Sequence, residues 1–185
     1  MKRILSYLKG TSSHGIVLGG TGDTTTLRAY SDADFASNLD DHRSTTGVIL
    51  IVNGGPVEWK SQRQKCVSLS TTESEYVAAS AGGKEVVWMR RLLQDLGRRQ
   101  DQPTELFIDN QSAIKLVRNP EFNQRTKHID VKFHFIRDLQ ENQLINATYI
   151  NTKNQLADLL TKALDGPRFR KLRQEIGIYT VTSVV

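Results

Sequence analysis

Cysteine is nearly missing from these 185 residues: Cys66 stands alone, so no internal disulfide can form. With four scattered histidines and one thiol, a zinc site of the Cys-pair type is excluded as well, which leaves oxygen as the ligand for any metal. No apolar run approaches the roughly 18 residues that a bilayer crossing needs, which excludes a membrane span. The opening MKRILSYLKG is basic at both ends, but its apolar stretch is too short for a secretion signal and no small-residue cleavage site follows. The chain is therefore expected to stay inside a cell. Internal repeats and low-complexity tracts are also lacking. What remains is an ordinary globular composition, 38% hydrophobic and 24% charged, at a length suited to one compact core.

Lys and Arg outnumber Asp and Glu by 25 to 20, a balance that permits a polyanionic partner without requiring one. The excess is concentrated between Lys162 and Glu175, where Lys162, Arg168, Arg170, Lys171 and Arg173 face only Asp165 and Glu175. By itself such a run reads as a solvated helix face.

The order of elements carries the architecture. Ile4, Leu5 and Leu8 form the stripe of a short helix over residues 2–9, followed by a Gly/Ser/Thr-rich stretch with one strand at Gly15 to Leu18. A β-rich part begins with Leu27 to Phe35. It continues with Gly47 to Val52, the turn Asn53-Gly54-Gly55-Pro56 and a strand from Val57 to Ser61, a hairpin in which Asn-Gly supplies positive φ. A long helix is expected from Thr71 to Leu96, stopped by Gly97. Then come a strand at Leu106 to Ile108, a helix from Gln111 to Val117, a helix near Ile129 to Glu141, a strand from Ile145 to Ile150 and a helix from Gln155 to Leu164. The first half is a meander and the second alternates strand with helix, so the expected fold is α/β, one mixed sheet flanked by helices.

Three carboxylates fall at element ends, where strand termini and helix starts can converge. Asp32 lies toward the end of the first long strand in Tyr30-Ser31-Asp32-Ala33-Asp34, and alternation places Asp32 and Asp34 on the same face without choosing between them. Asp109 ends the strand Leu106-Phe107-Ile108, with Asn110 beside it as an equally good helix cap. Glu75, in the first turns of the long helix, shares a face with Ala79, Val86, Met89 and Leu93, so its carboxylate heads the stripe that packs on the sheet. Glu73 instead completes the capping box Ser70-Thr71-Thr72-Glu73. Helix geometry alone reads Glu75 as readily as an acid favoured by the helix dipole. Periodicity sets Asp158 opposite the Leu156, Leu160 and Ala163 stripe, as a solvated residue. Carboxylates that do converge need a counter-charge, and a hard divalent cation with oxygen ligands, Mg²⁺ above all, supplies it.

Six blocks in order, SYLKGT, YSDADFASNLDDHRSTTGV, VEWKSQRQKCVSLSTTESEYVA, IDNQSAIKLVRNP, RTKHIDVKFHFIRD and NTKNQLADLLTKAL, resemble the ribonuclease H domain of copia-type LTR retrotransposon Pol polyproteins, from about Ser6 to Gly177. The resemblance implies a ribonuclease H-like fold, a five-stranded mixed sheet with elements in the order βββαβαβα. It implies four catalytic, metal-binding carboxylates, Asp32, Glu75, Asp109 and Asp158, with Asp158 resting on the resemblance alone. Two Mg²⁺ ions, for which Mn²⁺ can substitute, would act on the RNA strand of an RNA·DNA hybrid. Asn110, Gln111 and Ser112 beside Asp109, together with Lys127 and Lys132, are the implied nucleic-acid contacts. Residues 1–12 resemble the end of a preceding reverse transcriptase, 13–165 the ribonuclease H domain and 166–185 a C-terminal basic helix and tail. The implied setting is a retrotransposon particle in the cytoplasm, with the reverse transcriptase of the same polyprotein as a partner.

One feature departs from the cellular relatives, which carry a histidine between the last strand and last helix. Here Asn151-Thr152-Lys153-Asn154 has none, and the spacing of His128 and His134 suits packing or surface roles. Two other readings use the same residues. One is a non-catalytic module that binds nucleic acid or docks on reverse transcriptase; an intact set of four acids argues against it. The other is another metal-dependent nuclease or an integrase-like strand transferase on the same fold; integrases place their glutamate late in the chain.

Overall fold

In a computed structural model of the chain, residues 2–16, 18, 25–38, 40–119 and 130–181 are described, with residues 130–133 described by their backbone alone. The elements in chain order are α1 (Lys2–Gly10), β1 (His14–Ile16), β2 (Leu27–Asp34), β3 (Thr45–Val52), β4 (Gly55–Arg63), α2 (Thr71–Asp95) and β5 (Thr104–Ile108). They continue with α3 (Gln111–Arg118), α4 (Asp130–Glu141), β6 (Ile145–Tyr149), α5 (Gly166–Glu175) and β7 (Ile178–Thr180).

Five strands form one sheet in the order β4-β3-β2-β5-β6. β2, β3 and β4 pair antiparallel, while β5 lies parallel to β2 and β6 parallel to β5. This is the mixed sheet that a meander followed by alternating strands and helices requires. The β3–β4 hairpin turns on Asn53 and Gly54, whose φ values of 50° and 80° are those of a primed two-residue turn that matches the twist of the strands.

Strand alternation divides the core in two. Leu27 and Ala29 of β2, Val48 and Leu50 of β3, and Leu106 and Ile108 of β5 face one side, where Tyr76, Val86 and Met89 of α2 and Ile136 of α4 cover them. Tyr30, Ile49 and Ile51 point the other way, onto Leu156, Ala157, Leu172 and Ile176. Tyr30 and Phe107 stack on that second face with ring centroids 4.8 Å apart. Both faces of the sheet are thus closed, the arrangement that a central parallel pair needs.

Three expectations require correction. No α-helix runs from Gln155 to Leu164; the chain makes two short 3₁₀ turns, Thr152–Asn154 and Leu156–Leu160. The physical reason lies in Gln155, whose buried side chain donates to Ser31 O at 2.9 Å and to Phe107 O, tying the backbone to the sheet where an α-helix would have to lift away. Asp165-Gly166-Pro167, just past the expected helix end at Leu164, is a helix start: Asp165 caps α5 by accepting from Arg168 N at 3.0 Å, and Pro167 sits in its first turn. The early strand is His14–Ile16, and it pairs antiparallel with β7 in a separate small sheet that the sequence did not indicate. α1 buries none of its residues, and its stripe of Ile4, Leu5 and Leu8 is exposed.

The close seating of the 3₁₀ segment on β3 depends on Gly47. A β-carbon there would lie 2.7 Å from Ala157 O and 2.7 Å from Thr161 Cγ2, and the first of these is backbone that cannot swing aside. Gly47→Ala is expected to cost ~1–3 kcal/mol through overpacking and to lower the melting temperature by roughly 3–10 °C, measured by differential scanning calorimetry. An unchanged melting temperature would show that the segment is free to shift.

Candidate active site

β2 and β5 run parallel and adjacent, so their C-terminal ends emerge at the same edge of the sheet, and Asp32 and Asp109 come with them. Glu75 reaches the same corner from the first turns of α2. The N-terminus of that helix is fixed by its capping box: Ser70 Oγ accepts from Glu73 N at 3.1 Å, and Glu73 Oε2 accepts from Leu69 N at 2.8 Å. Glu73 is thereby committed to the helix start. Glu75 turns inward instead, and its Oε1 accepts from the Ala33 backbone N–H at 3.2 Å, which joins helix to strand.

Asp32, Glu75 and Asp109 each offer a carboxylate oxygen, and these oxygens lie within 4.8 Å of one another. Asp32 rather than Asp34 therefore enters the cluster, the choice that alternation left open. Asp109 Oδ2 accepts from Thr152 Oγ1 at 2.8 Å, while Asn110 caps α3 by accepting from Ala113 N at 2.9 Å. Gln111 and Ser112 sit exposed on the first turn of α3 beside Asp109. Lys127 and His128 lie outside the described residues, as does the side chain of Lys132; His134 is exposed on α4.

Asp158 is not the solvated residue that periodicity suggests. It is fully buried in the 3₁₀ segment, where Arg168 Nη2 pairs with its Oδ2 and Lys162 Nζ lies 2.7 Å from its Oδ1. Lys162 Nζ is also 3.6 Å from Asp32 Oδ2, the oxygen that accepts from Thr161 Oγ1. Asp158 thus stands beside the three-carboxylate cluster, already paired with two cations. Lys162 and Arg168 belong to the basic run read as a solvated face; that reading fails for these two because Asp158 is buried against them.

Sequence reasoning missed Gln155, Thr161 and the inward role of Lys162 and Arg168. The spacing of Lys162 four residues after Asp158 was a usable signal. Gln155 gave none, because its partners are backbone carbonyls from distant strands.

The electrostatics follow from burial. Desolvation, reinforced by the charge of Asp158, pushes Asp32 up to about 7. Desolvation together with Asp32 and Asp109 pushes Glu75 up to about 9. Burial works against the Lys162 ammonium, but the Asp158, Asp32 and Asp109 carboxylates outweigh it and hold the lysine above its usual value. Asp32 Oδ1 and Glu75 Oε2 are buried without a hydrogen-bond partner. Orphaned, mutually repelling carboxylate oxygens of this kind are what a hard divalent ion satisfies, so the residues fit such an ion.

Element order, sheet order and the position of the acidic corner define a ribonuclease H-like α/β fold. Solved structures agree. The N-terminal RNase H domain of a Mycobacterium tuberculosis protein aligns with a TM-score of 0.55 at 10% identity, over 82% of this chain and 98% of that one. LC11-RNase H1, solved in complex with an RNA/DNA hybrid, aligns with a TM-score of 0.53 at 14% identity, over 74% of this chain and 94% of that one.

In sequence, this chain is a relative of the retrovirus-related Pol polyproteins of plant transposons. It is 40% identical to that of transposon TNT 1-94 of Nicotiana tabacum over 97% of its length, and 41% identical to that of transposon RE1 of Arabidopsis thaliana over 98%. It spans only 13% and 12% of the length of those polyproteins. No protein-family model matches the chain.

Both Asp32 and Glu75 titrate higher in the folded protein than their ordinary values of 3.8 and 4.5. Their protonated forms are favoured by folding, so the stability these two groups contribute is greatest at low pH and is lost as pH rises toward 7 and then 9. In EDTA, the wild-type melting temperature is expected to fall between pH 5 and pH 9. Glu75→Gln should flatten that decline and melt above wild type at pH 8, and millimolar Mg²⁺ should raise the wild-type value. Parallel pH profiles for the two proteins would contradict the shared acidic site.

Proposed function

We propose that this chain is a divalent-ion-dependent ribonuclease H domain that hydrolyses the RNA strand of RNA·DNA hybrids during retrotransposon reverse transcription. The observation that carries the reading is the convergence of Asp32, Glu75 and Asp109 at one corner of a ribonuclease H-like sheet, in a relative of transposon Pol polyproteins. Mg²⁺, with Mn²⁺ as substitute, is the proposed ion, and Asp32, Glu75 and Asp109 are the residues that would hold it. When bound, such an ion supplies an activated water and offsets charge on the phosphate.

The chain's own residues do the rest. Ala33 N–H fixes the Glu75 carboxylate, and Thr152 and Thr161 hydroxyls orient Asp109 and Asp32, so the oxygens are set before substrate arrives. Gln155 holds the segment bearing Asp158 against Ser31 O and Phe107 O, the backbones that lead into Asp32 and Asp109. Gln111 and Ser112, exposed at the start of α3, would meet the sugar edge of a strand lying across Asp109, with Asn110 beside them. Recognition of a hybrid would rest on 2′-hydroxyl contacts on one strand and backbone shape on the other, with Lys127 and Lys132 adding salt-sensitive affinity.

The proposed partners are the hybrid and the reverse transcriptase of the same polyprotein. Residues 1–12 are assigned to the end of that preceding region, 13–165 to the ribonuclease H domain and 166–185 to a basic helix and tail. Exposure of every residue of α1 accords with the first of these assignments. The proposed location is a cytoplasmic retrotransposon particle; among the described residues, no helix is long and apolar enough to cross a membrane.

A labelled RNA·DNA hybrid should be cleaved in its RNA strand with Mg²⁺ or Mn²⁺ and left intact in EDTA, and duplex DNA should not be cut. Glu75→Gln is expected to lower the rate at least ~100-fold, given the scale of losses when a preorganised charged group is removed. Glu73→Gln should keep the rate and weaken the helix start by ~1 kcal/mol or less. Equal cutting of duplex DNA, or the reverse ranking of the two glutamates, would sink the assignment.

A further inference from the structure

The carboxylate oxygens at this corner fall into two sets. Asp32 Oδ1 and Glu75 Oε2 are buried without hydrogen-bond partners, on side chains that converge with Asp109 within 4.8 Å. Asp32 Oδ2 and Asp158 Oδ2 are instead hydrogen-bonded by groups of the chain itself, and Asp158 Oδ1, also without a hydrogen bond, is ion-paired. Thr161 Oγ1 donates to Asp32 Oδ2, Arg168 Nη2 pairs with Asp158 Oδ2, and the Lys162 ammonium stands 2.7 Å from Asp158 Oδ1 and 3.6 Å from Asp32 Oδ2.

Lys162 is not a surface lysine that has wandered inward. Its backbone N–H donates to Asp158 O at 3.3 Å, one tight turn after the aspartate, and Gln155 and Gly47 hold that turn against the sheet. The ammonium is therefore delivered to the gap between Asp32 and Asp158 by the fold. A divalent ion bridging those two carboxylates needs oxygens at roughly 2.0–2.6 Å, in the space the ammonium fills, and it would meet a fixed positive charge there.

We propose that Lys162 supplies the second cation of this site from within the chain, so that the protein alone binds one divalent ion, on Asp32, Glu75 and Asp109, where the family resemblance implies two. Asp158 is then a positioning residue for Lys162 and Arg168 rather than a ligand of that ion. The proposal rests on reading Asp32, Glu75 and Asp109 as a divalent-ion site.

Counting Mn²⁺ bound to the full chain at neutral pH, from the electron paramagnetic resonance signal of the free ion, tests it without reference to activity. One ion is expected for wild type, two for Lys162→Met, and one again for Lys162→Arg, which restores a cation. Asp158→Asn should leave the dissociation constant of the first ion within about twofold of wild type, whereas Asp109→Asn, which deletes a ligand charge, should weaken it at least ~10-fold. Two ions of comparable affinity on wild type overturn the proposal, as does a single ion on Lys162→Met. An Asp158→Asn defect equal to that of Asp109→Asn also overturns it, and this comparison decides the matter if Lys162→Met does not fold. A wild type that binds no Mn²⁺ while melting cooperatively overturns the ion-site reading itself.

Discussion

Asp32 and Asp109 are brought together by the parallel pairing of β2 with β5, and Glu75 is locked to the same corner by the Ala33 N–H. Burial strips both carboxylates of water, and the repulsion of like charges held this closely adds to that cost, which is why Asp32 and Glu75 both resist ionisation. The surrounding structure is arranged around that repulsion. Two hydroxyls, a backbone amide and two side-chain cations each take a carboxylate oxygen, and the cations come from the segment that follows the last long strand.

That segment explains why the second face of the sheet matters as much as the first. The helical side supplies Glu75 and most of the apolar core. The other side is covered by short 3₁₀ turns and α5, and their register is set by a buried amide, a tight glycine and the stacked Tyr30–Phe107 pair. Polar anchoring of this kind fixes one geometry, because Gln155 finds its two carbonyls in only one register.

Much of this was legible in the residues. The Asn-Gly hairpin, the long capped helix and the alternation of strands and helices after Gly97 all emerge from local chemistry, since turn residues and periodicity act over a few positions. Glu75 could be told from Glu73 because one lies on the buried stripe and the other completes a cap. Asp158 could not be placed the same way: its segment is not an α-helix, so a period of 3.6 residues misjudged its face. The β1–β7 pairing was equally out of reach, because three-residue strands near opposite ends of the chain leave no periodic trace.

That same pairing has a kinetic meaning. Ile16 lies opposite Ile178, so the small sheet is built from contacts of very high sequence separation and very few residues. Closing so long a loop brings its entropic cost before much stabilisation is gained, and the main sheet does not need it to assemble. β1 and β7 are therefore expected to form late and open early, with amide protons that exchange faster than those of the five-stranded sheet.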